Sequence, residues 1–285
     1  MKIAKRCVCC GGERLVASPA ILMPFLAHRI FGWDSTEVTA AWNLRDLAPG
    51  RVYSLCKTLD CAACGAIFLD MRFDDEEMGA LYHAYRGPDY CAMRERFEPG
   101  YARRNAALAE GSPSLPQIET LLAPHLGPRP RVLDWGGDTG LNTPFRGRCA
   151  AHHIYDISDK PVIAGAERVG LEQARAGRYD LVVSAHVLEH VSDPTGLLRE
   201  MTSAMTRETI LYLEFPHEEL MRRADRDDRA SAKRHWHEHI NFFSEAAIDA
   251  MTARAGLAVL ERVSHPVSAG GATSQVFSVI AKLHG

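Results

Sequence analysis

Arg131-Val132-Leu133-Asp134-Trp135-Gly136-Gly137-Asp138-Thr139-Gly140 is the stretch on which the reading of the fold turns. Its first half is a short apolar run broken by one acid, the pattern of a buried strand. Its second half holds glycines at 136, 137 and 140. A strand that runs into a Gly-rich turn and then opens a helix is the usual nucleotide-binding start of a doubly wound α/β sheet. Without Cβ atoms, such a turn lets a ligand approach the backbone closely. The glycine spacing departs from G-x-G-x-x-G, so the dinucleotide fingerprint is not met.

Working outward, strands and helices alternate from about residue 115, the signature of a parallel α/β sheet. Leu115 to Leu126 is an amphipathic helix. His152 to Ser158 is a second strand with Asp156 at its end. In this fold an acid there accepts hydrogen bonds from ribose hydroxyls, two acceptor oxygens matching two adjacent donors. The plainer role is a helix N-cap, which Ser158 or Asp159 could fill instead. Only a short helix and a short third strand fit between Lys160 and Tyr179. Tyr179 to Pro194 reads YDLVVSAHVLEHVSDP, a fourth strand running into a helix that Asp193 caps with Pro194 at its first position. Thr209 to Phe215 is a fifth strand. Ser244 caps another helix, with Gly256 just past its end, and strands 257–263 and 276–283 close the chain.

These segments resemble class I S-adenosylmethionine-dependent methyltransferases. Asp134, Gly136 and Gly140 fit their first motif, Asp-x-Gly-x-Gly-x-Gly; Asp138 stands where the middle glycine belongs, with Gly137 beside it. HVLEHV-x-DP is similar to the same superfamily's fourth-strand motif. The resemblance implies a Rossmann-like seven-stranded sheet with an antiparallel seventh strand. It also implies S-adenosylmethionine as cofactor, with Asp134, Gly136, Gly137, Asp138, Gly140, Asp156, Ile157 and His186 on the cofactor side. It covers about residues 125 to 285.

The N-terminal part carries a different signal. Cys7-Val8-Cys9-Cys10-Gly11 and Cys61-Ala62-Ala63-Cys64-Gly65 each contain C-x-x-C-G. Each knuckle converges two thiolates, so Cys7, Cys10, Cys61 and Cys64 suit tetrahedral structural Zn²⁺ with no open coordination position. Cys9 and Cys56 are spare candidates; reduced, buried thiols are the plainer reading. Asp74 to Tyr90 is expected as one helix ending near Arg86-Gly87-Pro88. A second, 94–110, is rich in Arg and Tyr (Arg94, Arg96, Tyr101, Arg103, Arg104), either a solvated helix or a lid reaching a ligand. The expected divisions are a zinc-binding segment over 1–72, a helical lid and linker over 73–114, and the catalytic domain over 115–285. Doubled C-x-x-C-G followed by L-Y-x-x-Y-R-G-x-x-Y resembles bacterial methyltransferases with an N-terminal zinc segment. Several of these act on sugars or surface-polysaccharide precursors, which implies a small-molecule acceptor such as a nucleotide sugar or glycan.

Transfer to a hydroxyl or carbon needs a proton acceptor, and His is apt near pH 7. Candidates gather at Phe215-Pro216-His217-Glu218 and at His235-Trp236-His237-Glu238-His239-Ile240-Asn241-Phe242-Phe243-Ser244, with His237 or His239 as the base. The alternate spacing of His235, His237 and His239 also raises a metal site, though no fourth ligand is evident. Glu189 and His190 are expected to be structural. The charged run from Glu218 to Arg234 is expected as a solvated helix or an acceptor loop.

Composition bounds the alternatives. The 285 residues are 46% hydrophobic with 33 basic and 36 acidic side chains, net −3, so no basic field suits nucleic acid. No secretory signal and no apolar run near bilayer length is seen, so a cytoplasmic protein without a membrane span is expected. In a reducing compartment clustered cysteines favour metal over disulfides. The competing function is a zinc-containing interaction protein on a degenerate methyltransferase fold.

Overall fold

The structure is a computed structural model and describes residues 1–43, 48–108, 111–158, 160–223, 228–269 and 272–285. In chain order, β1 (Leu15–Leu22), α1 (Pro24–Phe31), β2 (Leu55–Cys61) and β3 (Ile67–Leu69) form the N-terminal part, followed by α2 (Asp75–Tyr82), α3 (Pro88–Phe97) and α4 (Tyr101–Leu108). The single helix expected over Asp74–Tyr90 is thus two pieces. Asp74 starts α2 with a reciprocal capping box to Glu77. Ala84 and Arg86 then take positive φ and break the helix before Pro88 begins α3. The second expected helix is likewise divided, at Pro99-Gly100; residues 109 and 110 lie outside the described residues.

The larger sheet begins after α5 (Leu115–Leu122) with β4 (Arg131–Trp135), then β5 (Ala151–Tyr155), β6 (Glu167–Arg168), α6 (Leu171–Ala176), β7 (Leu181–Ala185), α7 (Pro194–Thr202) and β8 (Ile210–Pro216). Next come β9 (His235–Trp236), β10 (Asn241–Phe242), α8 (Glu245–Arg254), β11 (Leu257–Ala269) and β12 (Ala272–Leu283). The seven strands order as β6-β5-β4-β7-β8-β12-β11, parallel through β8 and antiparallel at β12 and β11. The Rossmann-like seven-stranded sheet is therefore present. Both caps expected from sequence form: Asp193 accepts from the Gly196 amide and Ser244 from the Ala247 amide. The third strand is only two residues long, and its helix follows it.

β9 and β10 leave the larger sheet altogether. They are the two edges of a five-stranded sheet, β9-β1-β2-β3-β10, whose other strands come from the N-terminal part. The segment carrying His235 to Phe242 thus ties the two parts together. Buried Trp236 donates Nε1–H to Thr58 Oγ1 at 2.8 Å, and Arg229 reaches Asp60 at 3.0 and 3.2 Å. The charged run before it forms two short helical turns, Glu219–Arg222 and Arg229–Ala232, with 224–227 outside the described residues. Cys7, Cys9, Cys61 and Cys64 share one apolar core with Trp135, Phe215, Phe243 and Met251. Among the described residues no helix is long and apolar enough to cross a membrane.

Candidate active site and cysteine cluster

The two C-x-x-C-G turns have the same backbone construction. Gly11 N–H donates to the Cys7 carbonyl at 2.9 Å, and Gly65 N–H to the Cys61 carbonyl at 2.7 Å. Gly11 and Gly65 sit at φ of +76° and +73°, which favours glycine. The four Sγ atoms of Cys7, Cys10, Cys61 and Cys64 lie within 4.8 Å of one another, with Cys7–Cys64 and Cys10–Cys61 each at 3.5 Å. Four sulfurs about 2.3 Å from a tetrahedral ion stand about 3.8 Å apart, so this donor set fits such an ion. Hydrogen bonds with Cys64 and Cys9 hold the Cys7 thiol well below the usual range. Cys9 and Cys56 are outside the group of four: Cys9 is buried and offers its carbonyl to Arg254, while Cys56 packs in a separate core.

A cavity of about 690 Å³ opens at the C-terminal ends of β4, β7 and β8, where a doubly wound sheet places its crevice. One end is the turn after β4. Asp134 is buried and accepts from Thr143 Oγ1 at 2.5 Å; burial pushes its carboxyl up to about 7. A Cβ on Gly137 would stand 2.5 Å from the Asp134 Cγ, and one on Gly136, at φ +85°, 2.5 Å from Val187 Cγ2. The cradle therefore admits only glycine at either position. Gly140 is likewise in the left-handed region, and Asp138 adopts it too, at φ +53°. Asp tolerates that conformation better than most side chains, so the departure from the glycine pattern preserves the turn's shape. Asp156 lies next to this turn and accepts from the amides of Asp138 (2.8 Å) and Ser158 (2.7 Å). Asp159, the other cap candidate, lies outside the described residues. Lys160 Nζ pairs with Asp138 at 3.0 Å, and Ile157 is 72% exposed.

The other end is densely polar. His186, at φ +57° just past β7, reaches Glu189 at 3.3 Å and Glu214 at 3.1 Å. Burial lowers the His186 pKa, but the two carboxylates outweigh it and push it up to about 10. Burial raises Glu189, yet His186 and the neighbouring histidines hold it at about 2. From the inserted segment come His237, 3.4 Å from Glu98, and His239, whose Nδ1 donates to Glu218 at 2.9 Å. Glu238 is buried against Arg94 (2.7 Å) and the Tyr90 hydroxyl (2.8 Å). Thus α3 and α4 cover this end: Arg94 and Tyr101 line the cavity, whereas Arg96 and Arg103 are exposed.

The model of a family described as "Methyltransferase domain" matches residues 102–262, more than half of the chain. The chain belongs to this family. No curated protein matches it in sequence. Among solved structures it is similar to a Burkholderia thailandensis 1,6-didemethyltoxoflavin-N1-methyltransferase solved with 1,6-didemethyltoxoflavin and S-adenosylhomocysteine. The identity is 16%, the TM-score 0.50, and 79% of this chain and 97% of that one are covered. It is also similar to a Synechocystis magnesium protoporphyrin IX methyltransferase with bound S-adenosylhomocysteine, at 16% identity, TM-score 0.42, covering 64% and 87%. At such identities the first likeness speaks for the fold alone.

Against this family background, the sequence candidates divide by position. Asp134, Gly136, Gly137, Asp138, His186, His237 and His239 all line the one cavity, while Gly140, Asp156 and Ile157 stand in or beside its turn. His235, exposed on β9, is apart from the cavity lining. Glu214 was not among the candidates, although an acid inside the apolar run Ile210–Pro216 is a signal in itself. Glu189, expected to be structural, lines the cavity beside His186, and nothing local revealed that Arg94 and Tyr90 would meet Glu238.

Proposed function

We propose that the chain transfers a methyl group from S-adenosylmethionine to a hydroxyl or carbon of a small polyhydroxylated acceptor, of the sugar or polysaccharide-precursor class, and that Cys7, Cys10, Cys61 and Cys64 hold one structural zinc. One observation carries the reading: a single cavity joins a glycine cradle that excludes side chains to a cluster of carboxylates and histidines.

S-Adenosylmethionine supplies an electrophilic methyl on a sulfonium. The chain's own residues bind and orient. Asp156, already fixed by two amides, retains lone pairs for ribose hydroxyls. Gly136 and Gly137 leave room at the backbone, and exposed Ile157 offers an apolar face for a base. At the far end Glu189, Glu214 and Glu238 are acceptors suited to an acceptor molecule rich in hydroxyl donors. His239, held at Nδ1 by Glu218, presents Nε2 as proton acceptor, with His237 as the alternative base. Aligned groups at near-attack distance supply several kcal/mol of the rate enhancement. The left-handed Asp138, which retains the turn, supports cofactor binding over a degenerate interaction module.

Calorimetric titration of the full chain with S-adenosylmethionine and with NAD tests the reading. Heat is expected only with the former, and replacement of Asp134 should abolish it. A chain silent to S-adenosylmethionine at millimolar concentration is not this enzyme. A screen of nucleotide sugars with radiolabelled methyl donor then tests the acceptor class.

A further inference from the structure

Glu189, His190 and His239 converge at the polar end of the cavity, each offering one ligand atom within 4.8 Å of the others. They come from two separate segments: Glu189 and His190 from the turn after β7, His239 from the insertion between β9 and β10. The segments are stitched tightly. The Glu189 carbonyl accepts from Ile240 N at 2.7 Å and Asn241 N at 3.1 Å, and Asn241 Nδ2 donates to the carbonyls of Leu188 and Val191.

Both imidazoles are oriented from behind. His190 Nδ1 lies 3.1 Å from the Glu238 carbonyl and 3.0 Å from the Tyr82 hydroxyl. A carbonyl can only accept, so the tautomer that satisfies this contact carries its hydrogen on Nδ1 and keeps the lone pair on Nε2, with the Tyr82 hydroxyl beside it. His239 Nδ1 donates to the Glu218 carboxylate, which leaves its Nε2 in the same condition. A histidine whose far nitrogen is held by a carbonyl or carboxylate is the arrangement that metal-ligating histidines use. The third group adds an independent sign. Glu189 is 1% exposed, and its Oε2 is a buried oxygen without a hydrogen-bond partner among the described residues. An unsatisfied buried carboxylate oxygen is costly unless something occupies the space before it. His190 Nε2 stands 3.8 Å from the other oxygen of Glu189, too far for a hydrogen bond but near the spacing of two atoms sharing one ion.

We infer that Glu189, His190 and His239 form a two-histidine, one-carboxylate site for a divalent transition-metal ion, separate from the four-cysteine cluster. Two imidazoles and one carboxylate suit manganese, iron, cobalt, nickel or zinc over magnesium or calcium, which prefer all-oxygen sets. Three protein ligands leave positions open toward the cavity, where two neighbouring oxygens of an acceptor could complete the shell and be held beside the methyl donor. Proton removal would then fall to His237, since His239 gives its lone pair to the ion. This use of the ion rests on the methyltransferase reading; its binding does not.

Full-length chain brought to one zinc per molecule, enough for the cysteine cluster alone, and then titrated with Co²⁺ by equilibrium dialysis and visible absorption tests the site. One equivalent is expected, giving weak ligand-field bands; cobalt entering the cysteine cluster would instead show intense sulfur-to-cobalt charge transfer. Glu189→Gln and His239→Gln should each weaken uptake at least tenfold. Should Glu189→Gln fail to fold, His239→Gln, at a partly exposed position, still decides. No such cobalt in the wild-type chain, or equal uptake by both variants, overturns the inference. Calorimetry with S-adenosylmethionine on the same preparation separates the two claims. Cobalt uptake without cofactor heat retains the metal site and removes methyl transfer; the reverse removes only the metal site.

Discussion

At Gly137 the obstacle to a side chain is Asp134 itself. A methyl there would lie 2.5 Å from the Asp134 Cγ and 2.7 Å from its Oδ2, so Gly137→Ala must displace the buried carboxylate and break its bond from Thr143. Overpacking of this kind costs about 1–3 kcal/mol, and cofactor affinity is expected to fall at least tenfold by calorimetry. Wild-type affinity in this variant would show that the cradle is not the cofactor site. Asp134 also links the turn to pH. Burial raises its folded pKa to about 7 from 3.8. A raised acid favours the folded state while protonated, so its contribution is full below pH 3.8 and is lost as pH rises through about 7. Asp134→Asn should flatten the pH dependence of stability between pH 4 and 8, by on the order of a few kcal/mol. Denaturant titrations at several pH values would show it, and a slope equal to wild type would refute it.

Among the elements, β9 does the least expected work. It is two residues long, yet it pairs in parallel with β1 through His235–Ile21 and Trp236–Leu22. Trp236 is fully buried among Leu22, Phe25, Ile67 and Phe242. Trp236→Ala should cost about 3–5 kcal/mol and, by loosening the segment that carries His237 and His239, should impair methyl transfer although Trp236 is not among the residues lining the cavity. Trp236→Phe keeps most of the packing and loses the bond to Thr58, about 1 kcal/mol. Chemical denaturation alongside turnover checks both; an alanine variant with wild-type turnover would mean that the segment is held by other contacts. This strand also marks where sequence reasoning stops. β4, β5, β7 and β8 were legible because buried parallel strands are continuous apolar runs ending in turn chemistry, and α7 and α8 because Asp193 and Ser244 cap them. Nothing local in His-Trp-His-Glu-His says that its flanks pair with strands 173 to 214 residues earlier, Phe68 opposite Asn241 and Ile21 opposite His235. Nor could spacing show that Glu189, read as structural, would face His239: that proximity exists only once the insertion folds onto the N-terminal sheet.

For the whole molecule, the question is whether the cysteine cluster is an appendage or part of the core. Thr195 Oγ1 at the start of α7 donates to the Val8 carbonyl at 2.7 Å, Arg254 at the end of α8 donates to the Cys9 carbonyl at 2.7 Å, and Ser244 donates to the Cys64 carbonyl. Both knuckles are thus bonded to helices of the larger sheet and share its apolar core. Zinc holding them would stabilise the whole chain, because binding energy that exists only in the folded state is folding energy. At least one zinc per chain, the one held by the four cysteines, is expected by elemental analysis. Chelation, or Cys61→Ser, should lower the melting temperature by about 10 °C or more, the equivalent of several kcal/mol at this size. The loss should appear as one cooperative transition, accompanied by weaker S-adenosylmethionine binding. A metal-free chain melting at the wild-type temperature would remove zinc from the account. Two separate transitions, the later one retaining cofactor binding, would show instead that the cysteine-bearing part folds apart from the sheet, and the bonds from Thr195, Arg254 and Ser244 would then be too weak to couple them.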